Sequence, residues 1–98
     1  MERLKKAITG KGNYEGCTLV QLDRTVNACM YAVCYRKDIN TTVTLYYQVF
    51  KPEIKNGIEI YPPRKNIFES LNLGVAQYRF DKLSKDEKIF TSTLKDEK

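Results

Sequence analysis

Histidine and tryptophan are absent from the 98 residues, and proline appears 3 times, glycine 5 times and cysteine 3 times. Without imidazole no side chain has an unperturbed charge change near neutral pH. His-based acid/base catalysis, Ser-His and Cys-His nucleophiles and His-ligated metals are therefore excluded. The odd number of cysteines argues against a fully paired disulfide framework. Cys17, Cys29 and Cys34 also lack the fourth ligand and the grouping into two close pairs that a structural zinc site needs. They read as reduced, buried small residues, and neither a metal nor a cofactor is expected.

Long apolar runs are missing too. The longest, residues 28–35, is far short of the ~20 residues of a membrane helix, so no membrane association is expected. Residues 1–8 are charged and amphipathic, unlike the basic tip and apolar core of a secretory leader, and the protein is expected to be cytoplasmic. On that reading Asn40-Thr41-Thr42 matches the N-glycosylation pattern by chance. Lys95-Asp96-Glu97-Lys98 ends in Lys and is not a retrieval signal. Gly10-Lys11-Gly12 lacks the spacing and the following Ser or Thr of a phosphate loop.

What is present, 42% hydrophobic and 30% charged residues, suits one globular domain over residues 1–98. Leu4 and Ile8, four apart and followed by Gly10, predict a short helix over residues 1–9, and residues 10–16 are too glycine-rich for regular structure. From there to residue 94 the signals are those of an antiparallel β region, with a charged tail over 95–98. Residues 17–22 form a short β-type run. Residues 26–36 fit a helix through Val26, Met30 and Val33, and equally a strand buried on both faces.

Residues 41–50 settle the reading. Dense in β-branched and aromatic side chains, they set Val43, Leu45, Tyr47 and Val49 on an expected core face against Thr42, Thr44, Tyr46 and Gln48. Residues 26–50 are thus read as one long hairpin. Asn56-Gly57 between Ile54 and Ile58 predicts a second, tighter hairpin that Pro62-Pro63 halts. Asn66 with Glu69 predicts a capped helical turn, residues 75–82 alternate as a strand, residues 84–87 turn, and residues 88–94 return antiparallel. The fold class is α+β and mainly antiparallel β: a five- or six-stranded sheet or a small, OB-like barrel with a short N-terminal helix.

Asp23, Asp38, Glu53 and Glu59 fall near predicted turns or strand ends, where solvated carboxylates are ordinary. No acid/base pair is visible and no enzyme is expected. Charge is more informative. Residues 1–65 hold 11 Lys/Arg against 6 Asp/Glu, whereas residues 66–98 hold 6 of each, so the net +5 lies in the first part. Arg36 and Lys37 fall at the hairpin tip and Arg64 and Lys65 after the prolines, and Tyr46 occupies the Thr-rich strand face. These five residues are the candidate interaction surface. The reading is a small non-catalytic binding protein acting through protein–protein contacts, as an adaptor, inhibitor or self-associating subunit. The alternative is binding of single-stranded nucleic acid on a basic, tyrosine-bearing sheet face.

Overall fold

A computed structural model describes residues 2–96, with side chains described over residues 2–12 and 14–85. Seven strands and one helix follow one another as β1 (Ala7–Thr9), β2 (Cys17–Arg24), β3 (Cys29–Asp38), β4 (Thr41–Phe50), β5 (Glu53–Lys55), β6 (Ile58–Ile60), β7 (Phe68–Ser70) and α1 (Leu73–Asp96). Five strands form an antiparallel sheet in the order β1-β2-β3-β4-β7, and β5 and β6 form a separate two-stranded ribbon. The sheet has two ends and does not close into a barrel, and its helix is C-terminal.

Directly opposed residues of an antiparallel pair share a face, so the register assigns each paired side chain to one. On one face Ile8, Leu19, Tyr31, Val33, Tyr46 and Phe50 meet Leu4, Tyr14, Tyr61 and Ile67 from the N-terminal segment, the loop after β1, the chain after the ribbon and the approach to β7. This is the ribbon face. On the helix face Met30, Val49 and Phe68 receive Ala76, Phe80 and Leu83 of α1. Burial of Leu19, Val33 and Phe50 contributes roughly 1.5–3 kcal/mol apiece.

The predicted N-terminal helix is replaced by extended chain. Glu2 bridges Ile58 in parallel, Gln21 N–H donates to Lys6 O at 2.7 Å, and residues 7–9 become β1. A helix this short is marginal in isolation, and the free edges of β2 and the ribbon offer its backbone groups better-placed partners. The predicted loop holds a 3-10 turn, Gly12–Tyr14. Gly10 is required there, because a Cβ on it would lie 2.0 Å from Tyr14 O.

The ambiguous run is a strand, and β4 has the expected bounds. The second hairpin is also as read, with Asn56 at φ 53° and Gly57 at φ 76°, both in the left-handed region that a type I′ turn needs. The last third differs. In place of a capped helical turn at 66–71 there is a 3-10 turn, Arg64–Asn66, followed by β7. The strands expected at 75–82 and 88–94 and the turn between them are one helix. Ala76 and Phe80 satisfy both a two-residue and a four-residue period. Leu83 and the Asn72 cap, whose Oδ1 accepts from Val75 N–H at 3.1 Å, decide for the helix. Of the predicted tail, Lys95 and Asp96 lie in α1, and Glu97 and Lys98 fall outside the described residues.

Candidate interaction surface

Strand bulges decide which side chains meet. In β2 the register shifts between Gln21 and Asp23, which turns Arg24 onto the ribbon face opposite Cys29. There its guanidinium forms a bidentate ion pair with Glu59 of β6, and Glu59 Oε1 also accepts from Leu4 N–H at 3.0 Å. Glu59, read above as solvated, is buried. Its hydrogen-bonded Arg24 partner holds the carboxyl below the usual carboxylate value, and the same bond raises the guanidinium. Asp23 and Asp38 are exposed as expected, and Glu53 is half-buried.

A second polar cluster lies further along the ribbon face. Glu69 Oε2 accepts from Tyr14 OH and from Gln48 Nε2, each at 2.8 Å, while Gln48 Oε1 accepts from Tyr61 OH. Burial comes first among the causes that raise Tyr14, Tyr46 and Tyr61, the latter two to about 12, so these phenols keep their protons at neutral pH. The cluster is a set of tethers between the loop after β1, β4, β7 and the chain after the ribbon. Sequence reasoning missed it, although Gln48 on a core strand was a signal that a partner was needed.

The five predicted site residues do not form one surface. Tyr46 sits on the ribbon face, half-buried, with its ring centroid 6.2 Å from that of Tyr14. A register shift opposite Val33 and Cys34 leaves Leu45 unpaired and separates Tyr46, opposite Val33, from Thr44, opposite Cys34 and hence on the helix face. The strict alternation expected along β4 is broken there. Val49 is buried and Tyr47 half-buried on the helix face, whereas Val43 on the ribbon face and Leu45 are exposed. Arg36 caps its own hairpin, donating from Nη2 to Ile39 O at 2.9 Å. Lys37 is exposed at a second bulge, between Arg36 and Asp38.

Arg64 and Lys65 are exposed in the 3-10 turn after Pro62-Pro63. That turn lies by the Phe50 end of β4, and the hairpin tip lies at the Thr41 end, about 30 Å away along the strand. Beside the turn a groove of about 360 Å³ runs between α1 and the sheet. Its lining includes Lys51, Lys65 and Arg79, whose guanidinium carbon stands 5.1 Å from the Phe68 ring centroid. Cys29 and Cys34 point to opposite faces, as their odd spacing requires, and all three thiols are free. Burial pushes the Cys29 thiol up to about 11. Among the described residues no group of three or more His, Cys, Asp or Glu is placed to hold a metal, and no helix is long and apolar enough to cross a membrane.

The remaining surface is the outer half of the β3–β4 hairpin, an arm carrying residues 34–45 beyond both cores. Tyr35, Ile39, Val43 and Leu45 are exposed on it. On its helix-face side Thr18, Val20, Cys34, Arg36 and Thr42 line a hollow of about 290 Å³. The sheet covers the outer side of β4 only where β7 pairs with Tyr47, Gln48 and Val49, so among the described residues no strand pairs with residues 41–46 on the side away from β3. No protein-family model, curated protein or solved structure matches the chain.

Proposed function

We propose that the protein is a small non-catalytic binding protein that acts through protein–protein contacts, and that the β3–β4 arm makes them. One observation carries the reading: residues 41–46 form an open sheet edge without a charge or a proline, on an arm with exposed apolar side chains. The bulge at Leu45 interrupts this edge, but with neither charge nor proline along it the edge is suited to recruit another strand, whose main-chain hydrogen bonds supply affinity and whose side-chain contacts supply specificity. The outermost strands of the five-stranded sheet are guarded, β1 by its three-residue length and flanking Lys5, Lys6 and Lys11, and β7 by its equal shortness and Glu69. Free thiols suit a reducing compartment, in keeping with a cytoplasmic protein.

The test is arm-dependent binding. Immobilised wild-type chain, Val43→Lys and the control Ile54→Lys, altered at an exposed ribbon position, are compared for retained proteins. Contacts that the wild type and Ile54→Lys share and Val43→Lys loses support the reading. Identical binding by all three, with no self-association, sinks it. Nucleic-acid binding draws less support from the geometry, because its four cations stand in two pairs at opposite ends of β4 and Tyr46 packs against Tyr14. It would displace the protein-binding reading if single-stranded DNA or RNA shifted in a gel at low salt, with affinity falling steeply as salt rises.

A further inference from the structure

Resting on that reading, we infer that the occupant of the open edge is a second copy of this chain, its β4 antiparallel to the first. The stretch 41–46 is limited at one end by the turn at Ile39 and Asn40 and at the other by β7, which begins to pair at Tyr47. Antiparallel pairing of two identical stretches sets the turn of one copy against the β7 end of the other, so the same limit serves both chains over about 20 Å of strand.

The side chains at these limits match. Ile39 at the turn is 84% exposed, and Leu71, next after the Ser70 that pairs with Tyr47, is 83% exposed; no other large apolar side chain among the described residues is as bare. The pairing brings Ile39 of each copy to Leu71 of the other and covers both. Charge points the same way. The chain carries a net +5, yet residues 41–46 are uncharged, so two copies meet here without like charges in register. Pairing uses the open edge of each copy and leaves the guarded β1 edges outermost, so assembly closes at two chains.

Sedimentation equilibrium and light scattering over roughly 1–200 µM chain should show a mass rising to twice the 11.4 kDa of one chain. Val43→Lys and Ile39→Asp should remain monomeric with unchanged circular dichroism, and Ile54→Lys should dimerise as the wild type does. In a mixture of Ile39→Cys and Leu71→Cys chains, air oxidation should give a covalent dimer that neither variant forms alone. A dimer that survives both Val43→Lys and Ile39→Asp, or growth without limit, overturns the inference. A monomeric wild type that still loses retained proteins on Val43→Lys overturns self-pairing and leaves the binding reading standing. A monomer with no arm-dependent contact sinks both.

Discussion

Glu59 shows how much one carboxylate does in this chain. It is 6% exposed, is held by Arg24, and ties the N-terminal segment to the ribbon through Leu4 N–H. Removing one partner of a buried pair leaves the other charge desolvated and unpaired, so Glu59→Gln should cost about 3–5 kcal/mol in urea denaturation at neutral pH. The sign of the pH dependence follows from the lowered carboxyl. A group whose folded value lies below its unfolded one contributes stability that is present above the unfolded value, ~4.3 for Glu, and lost as pH falls through the folded value. Wild-type stability should therefore decline below about pH 4.5, and the Glu59→Gln denaturation midpoint should depend less on pH over the same window. An equally steep decline in the variant would assign the acid sensitivity to another group.

The helix α1 and strand β4 each carry a periodicity that misleads when read alone. Ala76, Tyr78 and Phe80 alternate as a strand would, but only Ala76 and Phe80 are buried, and Tyr78 is 69% exposed. Phe80→Ala should cost about 3–5 kcal/mol and Tyr78→Ala about 0.5 kcal/mol or less, two values that a strand with both rings on one face would make similar. Along β4, alternation predicts a core Leu45. The bulge leaves it 41% exposed, and Leu45→Ala should cost well under the ~2–5 kcal/mol expected of Leu19→Ala. Equal losses at Leu19 and Leu45, read as urea midpoints, would contradict the register. Bulges of this kind have no sequence mark, because the partner strand sets which residue is extra.

In the assembled protein the N-terminal segment, ribbon and loop after β1 close one face of the sheet, α1 closes part of the other, and the β3–β4 arm is left outside both. Two copies joined along that arm would be linked to folding by mass action. The wild-type Tm should rise with chain concentration, while that of Ile39→Asp should not. Because the paired stretch is uncharged, the dimer should tolerate salt that would dissociate a phosphate-binding complex.

Local chemistry was enough for some of this. The Asn56-Gly57 turn follows from the two residues' tolerance of positive φ. The bounds of β4 follow from a β-branched and aromatic run between a turn and Pro52. The opposite orientations of Cys29 and Cys34 follow from the strand period. Each depends only on neighbours along the chain. Tertiary structure decided the rest. Residues 2–9 are extended because segments distant in sequence hydrogen-bond to their backbone, Gln21 N–H donating to Lys6 O and Glu59 N–H to Glu2 O, and Arg24 meets Glu59 because a bulge turns it onto the ribbon face. Tyr46 parted from Thr42 and Thr44, and Arg36 and Lys37 from Arg64 and Lys65, for the same kind of reason: register and strand length, which belong to pairs of strands, set which side chains share a surface.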